Sequence, residues 1–141
     1  MKKSLVLLLM AVVFSGVIGC RGAGNPEAEK AAVAAAEEWL ALIDSQSYGE
    51  SWEAAATLFR DAVPKDQWVS VMKSGQAPLG KALSRAVASK RYLTAVPNAP
   101  AGQYVVIEFN TDFENKKAAV ETVTPMLDKD GTWRVSGYYI R

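Results

Sequence analysis

The sequence predicts an α+β domain with N-terminal helices packed on one face of a curved, four-stranded antiparallel sheet. Apolar residues recur at three- and four-residue spacing up to Gly80, which is typical of helices. After Gly80 the segments are rich in β-branched and aromatic residues, which is typical of strands. Because the helical segments all precede the strand segments, the two kinds of element are expected to form separate layers.

Three helices are predicted in the first half of the chain. The tripeptide 25–27 (Asn-Pro-Glu) supplies an N-cap, a first-turn proline and an acidic first turn, so the first helix is expected over 26–45. A second helix, begun by a serine at 47 or 51, should continue until Pro64 stops it. The third is expected over 66–73.

Four strands are predicted after Gly80, at 82–96, 103–109, 118–127 and 133–140. Turns are expected at 114–116 and at Asp130-Gly131, a strong hairpin signal. The last three strands should therefore form an antiparallel meander, with the long first strand at one side. Pro125 has no N–H to donate, so its strand should be an edge strand or contain a bulge.

Strict alternation in the last strand predicts two faces that both carry apolar side chains. One face holds Trp133, Val135, Gly137 and Tyr139, and the other holds Arg134, Ser136, Tyr138 and Ile140. Such a strand is either central in its sheet or covered on its outer face by another chain. A homodimer formed through the sheet is the hypothesis that follows.

Size and composition limit the functions that are open to the chain. With 141 residues, half of them hydrophobic, it should form one domain, expected at 26–141. Sixteen Lys and Arg against fifteen Asp and Glu leave it near neutral, which disfavours nucleic acid as a partner. With no histidine and one cysteine, neither a Cys/His zinc site nor a Ser-His-Asp triad can be built. No cofactor, metal site or catalytic residue is therefore predicted.

The N-terminus is predicted to be a signal peptide. Lys2 and Lys3 precede an uncharged, almost wholly apolar segment at 4–18. A membrane-spanning helix needs about 20 such residues, so this segment has the length of a signal-peptide core. The signal peptide is expected to cover 1–19.

The tetrapeptide Val17-Ile18-Gly19-Cys20 resembles the lipobox of bacterial lipoproteins. The resemblance implies that Cys20 carries acyl chains, including palmitate, and that 20–25 tether the domain to a membrane of the cell envelope. Because Arg21 rather than Asp follows the cysteine, the periplasmic side of the outer membrane is favoured over the inner membrane. The alternative is a soluble secreted protein with an incidental free thiol.

The order of elements resembles the nuclear-transport-factor-2-like and cystatin-like cone folds. In sequence the chain is similar to the bacterial family catalogued as domain of unknown function 4019. The similarity lies in AAEEWLALIDSQSYGESWEAA at 35–55, in QYVVIEFNTDFENK at 103–116 and in AAVETVTPMLDKDGTWRVSGYYIR at 118–141. The resemblance implies the fold and an envelope setting, and it transfers no catalytic residue because the family has no assigned activity.

The candidate site residues are five aromatic side chains and two carboxylates. The rings either form the core or line a ligand cavity between helices and sheet; they are Trp39, Trp52, Phe59, Trp68 and Trp133. Glu108 and Glu121 lie mid-strand among apolar residues. Facing inward as a pair they would support acid-base chemistry, but the strand pattern favours the outward, solvated alternative.

The sequence therefore predicts an envelope lipoprotein that binds a partner protein or a small apolar ligand and is not an enzyme. Two alternatives stay open. One is an isomerase or hydrolase that uses a carboxylate in a cone cavity, and the other is a passive structural or stress-related lipoprotein.

Overall fold

The computed structural model describes residues 24–141, so the predicted signal peptide at 1–19 and the predicted lipid attachment site Cys20 lie outside the described residues. The helices are α1 (Pro26–Asp44), α2 (Tyr48–Ala54), α3 (Thr57–Ala62) and α4 (Lys65–Gly75), followed by a 3-10 turn at Ala77–Leu79. The strands are β1 (Ala82–Leu93), β2 (Tyr104–Phe113), β3 (Lys116–Leu127) and β4 (Trp133–Ile140).

The strands form one antiparallel sheet in the order β1-β2-β3-β4. All the helices precede the strands, and α1 contacts every strand. The α+β class, the meander and the position of β1 at one side are therefore confirmed. β2 extends four residues beyond the predicted end at Phe109, and β1 ends at Leu93, three residues before the predicted end at 96.

The hydrophobic core lies between α1 and the central strands. Alternate residues of β2, such as Val105 and Ile107, are fully buried and face the helices. On α1, Ala32 and Ala36 are also fully buried, and their small side chains let the helix lie close to the sheet. Each large aliphatic or aromatic side chain buried in this layer contributes about 1.5–3 kcal/mol.

The prediction of one second helix is wrong, because the segment forms two helices, α2 and α3. Ala55 and Ala56 have extended backbone angles between α2 and α3. The reason is a contact with the far end of the chain: the Ala56 N–H donates to the Val135 carbonyl of β4 at 2.8 Å. A backbone hydrogen bond to the sheet thus interrupts a segment whose local sequence favours a continuous helix.

Asp128, at the end of β3, fixes the start of α3. One of its oxygens accepts hydrogen bonds from the Thr57 N–H at 3.0 Å and from the Thr57 hydroxyl at 3.1 Å. The Thr57 amide also holds the pKa of Asp128 below its ordinary value. The turn between β3 and β4 is therefore attached to the helical layer.

The predicted faces of β4 are wrong beyond Ser136. Thr124 pairs with Gly137, but Pro125 pairs with Val135, which leaves Ser136 as an extra residue in a bulge. The irregularity lies at Pro125, where the sequence predicts one, but the extra residue belongs to β4 and not to the strand of Pro125. After it, Tyr138 pairs with Val123 and faces the helices, so the outer face is less apolar than strict alternation implied.

Candidate functional site

Glu121, in the middle of β3, is fully buried beneath the helices. It pairs with Phe109, which shares the helix-facing side of β2 with Val105 and Ile107. The prediction that Glu121 is solvated is therefore wrong. A buried carboxylate costs several kcal/mol unless it is paired and hydrogen-bonded, so its partners decide its role.

Three donors surround the Glu121 carboxylate. Its Oε1 accepts from Arg85 Nε at 2.7 Å and from the Thr111 hydroxyl at 2.6 Å, while Oε2 accepts from the Tyr138 hydroxyl at 2.5 Å. These bonds join β1, β2 and β4 to β3 through one side chain. Hydrogen bonds to an ionised group are stronger than neutral ones, so this arrangement offsets part of the cost of burial.

Arg85 connects Glu121 to the helical layer. Its Nη1 and Nη2 donate to the two carboxylate oxygens of Asp44, the last residue of α1, at 2.7 and 2.9 Å. Only 16% of the Arg85 side chain is exposed. Burial lowers the pKa of Arg85, but the hydrogen bonds to Asp44 and Glu121 outweigh this effect and raise the pKa above its usual range.

Tyr138 completes this group of side chains, which we call the Glu121 cluster: Asp44, Arg85, Thr111, Glu121 and Tyr138. Burial, together with the negative charge of Glu121, raises the pKa of Tyr138 well above its ordinary value. The hydroxyl therefore stays protonated and donates a hydrogen bond to Glu121. Its second neighbour is Gln76 Oε1, at 3.4 Å.

The geometry of the Glu121 cluster is that of a structural link. Both carboxylate oxygens already accept strong hydrogen bonds, and Glu121 lines neither the cavity beside Asp44 nor the trough along β1 described below. One cavity, beside Asp44, Tyr48 and Gln76, has a volume of about 30 Å³. A space of this size accommodates about one water molecule, and not an organic ligand.

Glu108 lies on the opposite face of the sheet from Glu121. It pairs with Thr122, one position away from the Phe109–Glu121 pair, so the two carboxylates do not meet. Glu108 is 33% exposed and accepts from Arg141 Nη2 at 3.1 Å and from the Ser89 hydroxyl at 3.5 Å. It is a surface carboxylate with surface partners.

The five aromatic candidates pack in or against the core. Trp39, Phe59 and Trp68 are buried, with the Trp68 ring centroid 6.0 Å from Trp39 and 5.0 Å from Phe59. Trp52 and Trp133 are partly buried against them. None of the five lines the cavity beside Asp44 or the trough along β1.

A second candidate site lies along β1, which is an edge of the sheet. Leu83 and Val87, on this strand, are the two large hydrophobic side chains most exposed within the described part of the chain, at 59% and 41%. Leu83 is an extra residue at a bulge, since its neighbours Ala82 and Ser84 pair with Phe113 and Asp112. Apolar side chains beside an unpaired strand edge are typical of interaction sites.

A shallow trough of about 260 Å³ is lined by residues 84–86 of β1, which lie between these two residues in the strand, and by residues of β2 and β3. Its lining includes the small side chains of Ser84, Ala86 and Ala118. Asn110 and Asp112 add polar groups to its wall. We call the trough together with Leu83 and Val87 the β1 surface. Ala118 has a left-handed φ of 52°, and its N–H donates to Asp112 Oδ1 at 2.8 Å.

Neither candidate site was identified from the sequence in full. The lone Glu in the apolar run Val120–Val123 was a visible signal, but Arg85 lies 36 residues away and Asp44 lies 41 residues from Arg85. Within residues 24–141 no group of three or more carboxylate or cysteine side chains is placed to hold a metal ion.

Comparison with known protein families gives one match. The model of the family described as Protein of unknown function (DUF4019) matches residues 35–138, which include the whole Glu121 cluster and the β1 surface. The chain belongs to the DUF4019 family. No curated protein and no solved structure matches it. The DUF4019 match begins at residue 35, so it bears on the folded domain and not on the leader or Cys20.

The Glu121 cluster predicts that two carboxylates on neighbouring strands, Glu121 and Glu108, contribute very differently to the free energy of unfolding. Glu121→Ala should lower the free energy of unfolding by about 3–5 kcal/mol, because it leaves Arg85 and Tyr138 without their buried acceptor. Glu108→Ala removes the same atoms from the surface and should cost less than about 1 kcal/mol. Urea denaturation of both variants measures the difference.

Glu121→Gln serves as the control for shape. The amide oxygen can still accept from Arg85, so this variant should be more stable than Glu121→Ala. Equal costs for the alanine variants of Glu121 and Glu108 would contradict the structural role of the cluster.

Proposed function

We propose that this DUF4019 protein is a lipoprotein of a bacterial cell envelope that binds a partner protein through the β1 surface and is not an enzyme. The observation that carries the proposal is the exposure of Leu83 and Val87 on an unpaired strand edge beside the trough. A partner in extended conformation gains main-chain hydrogen bonds at such an edge and places side chains in adjoining pockets.

The charges of β1 favour a partner with acidic side chains. Every charged side chain from 81 to 93 is a cation; Arg85 is paired with Asp44 and Glu121, and the exposed cations are Lys81, Lys90 and Arg91. A second copy of this strand would bring like charges together, which disfavours the homodimer through this edge. An acidic extended segment of another protein is electrostatically complementary.

The anchor in this proposal is Cys20. Its setting after an apolar leader supports cleavage before the cysteine and acylation of its sulfur and amino groups. Several acyl chains hold a protein at a bilayer far more firmly than one chain does. None of the helices in residues 24–141 has the length and apolar character that a membrane crossing needs. Arg21 favours the periplasmic side of the outer membrane.

We also propose that the sheet is curved as in the nuclear-transport-factor-2-like and cystatin-like cones. The order of helices followed by a meander supports this assignment. Register shifts occur in all three strand pairs, and bulges bend strands and increase their twist.

Cys20→Ser tests the anchor. Without the sulfur that receives the first lipid, the full chain should accumulate as an uncleaved precursor, whereas the unaltered chain should be shortened by 19 residues and gain the mass of its acyl chains. Intact-protein mass spectrometry of both chains measures this. Normal cleavage of the Cys20→Ser chain would refute lipoprotein processing.

Site-specific crosslinking tests the β1 surface. A photo-activated amino acid at position 83 of the full chain, expressed in a bacterial envelope, should give one crosslinked product, which Val87→Glu should abolish. The same amino acid at Lys73, exposed on α4, is the matched control and should give none. Because Leu83 and Val87 are exposed, neither change should unfold the domain.

The mass of the crosslinked product distinguishes the possible occupants. A mass above twice that of the chain, or between one and two chain masses, identifies a different protein. A mass of two chains would show that the β1 surface binds a second copy of this chain and not a different protein. Equal crosslinking from positions 83 and 73 would contradict a specific surface.

A further inference from the structure

The segment between β1 and β2 is distinctive in its charge. From Tyr92 to Ile107 the chain carries no charged side chain. The connecting loop at 94–103 lies in the middle of this segment, and it exposes Ala95, Pro97, Pro100 and Ala101 to solvent. The hairpin at the other end of the sheet differs, since Glu114, Lys116 and Lys117 are charged and exposed.

The loop at 94–103 has a fixed shape. The Gly102 N–H donates to the Thr94 carbonyl at 3.1 Å, and the Tyr104 hydroxyl donates to the Pro100 carbonyl at 2.6 Å. Pro97 and Pro100 restrict the backbone further and carry no N–H groups. The loop therefore offers a preformed surface with few polar groups to desolvate.

The direction of α1 places its first residue at the same end of the sheet as this loop. Asp44 fixes the last turn of α1 to Arg85, near the start of β1. A helix of 19 residues is about 28 Å long, which matches the roughly 26 Å that eight residues of β1 span from Arg85 to Leu93. Because α1 packs over the sheet and contacts all four strands, it begins at the end of the sheet that also holds the loop.

The tether is too short to let this end of the domain leave the bilayer. Five residues, 21–25, separate Cys20 from the start of α1 at Pro26, and fully extended they reach about 18 Å. The end of the sheet that holds the start of α1 must therefore stay close to the lipid headgroups once Cys20 is acylated.

We propose that the loop at 94–103 rests on the phospholipid surface and orients the anchored domain, with the β2–β3 hairpin directed away from the bilayer. This inference depends on the proposed acylation of Cys20. The turn at 128–132, at the same end, carries Asp130, which accepts from Arg134 at 2.7 and 2.8 Å, Asp128, which caps α3, and the exposed Lys129. Such groups are compatible with the headgroup layer, whereas the uncharged loop can enter about 5–10 Å into the interface.

The orientation also concerns the β1 surface. Leu83 lies at the start of β1, which is the end remote from the loop, and Val87 lies nearer its middle. A domain that rests on the loop thus keeps the β1 surface clear of the bilayer, where a partner protein can reach it.

Fluorescent labelling of the acylated full chain tests this orientation. Acylation blocks the sulfur of Cys20, the only native cysteine, so an introduced cysteine is the only free thiol. Ala101→Cys places a polarity-sensitive dye on the loop, and Lys117→Cys places it on the β2–β3 hairpin as the matched control; both positions are exposed. The labelled chains are reconstituted into vesicles of phosphatidylethanolamine and phosphatidylglycerol that contain a spin-labelled lipid.

The dye at 101 should show blue-shifted emission and lose most of its fluorescence to the spin-labelled lipid, while the dye at 117 should show neither change. Adding Ala95→Glu should restore the fluorescence at 101, whereas Ala86→Glu, exposed on β1, should not. If the chains float with the vesicles and the two dyes are quenched equally, the orientation is refuted and the anchor stands. Failure of the chains to float would refute the anchor and, with it, the orientation.

Discussion

The guanidinium group of Arg85 holds two carboxylates that belong to different layers of the fold. Asp44 ends α1, and Glu121 lies in the middle of the sheet, where no water can solvate it. A buried carboxylate of this kind requires a cation. Arg85 supplies it from β1, which is separated from β3 by β2 in the sheet. The position of the last turn of α1 follows from the second carboxylate on the same guanidinium.

The rest of the domain is consistent with this constraint. Tyr138 reaches Glu121 only because the bulge at Ser136 turns the end of β4 toward the helices. The Tyr138 ring then packs edge-on against Trp39 of α1, with 5.2 Å between ring centroids. The cluster therefore determines both the register of β4 and the position of α1 on the sheet.

A buried ion pair is not in itself a strong source of stability, since the cost of desolvation often equals the attraction between the charges. Here the ion pair restricts α1 to a single position relative to the sheet. If α1 shifted along the sheet by one turn, about 5.4 Å, Arg85 could no longer satisfy both carboxylates. Small apolar contacts such as those of Ala32 and Ala36 would tolerate that shift more easily.

The sequence predicted what depends on near neighbours in the chain. The N-cap of α1 and the hairpin at Asp130-Gly131 each follow from a few adjacent residues, and they were predicted correctly; the irregularity at Pro125 was also predicted, although its extra residue lies in β4. The break between α2 and α3 depends on a hydrogen bond from Ala56 to Val135, which no local pattern reveals. For the same reason the burial of Glu121 could not be predicted, because its cation and both hydroxyl donors come from other strands. The exposure of Leu83 likewise depends on a bulge in the pairing of β1 with β2.

The same division applies to function. Cys20 and its leader are a local signal, and the family match at 35–138 leaves them to be tested directly. The β1 surface and the loop at 94–103 emerge only from the arrangement of the strands. The two carboxylates of the cluster bond to partners within the domain, although Arg85 and Thr111 also line the trough, so we assign the cluster to the architecture and binding to the surfaces.

The central claim is that Arg85 and Glu121 act as one unit, and a double-mutant cycle tests it most directly. The free energies of unfolding of Arg85→Ala, Glu121→Ala and the double variant are compared with that of the unaltered chain in urea. Removing Glu121 should cost at least about 2 kcal/mol less when Arg85 is already absent, because the variant then loses a buried carboxylate that has no cation beside it. Costs that add to within about 0.5 kcal/mol would show that the two residues act independently and would contradict this account.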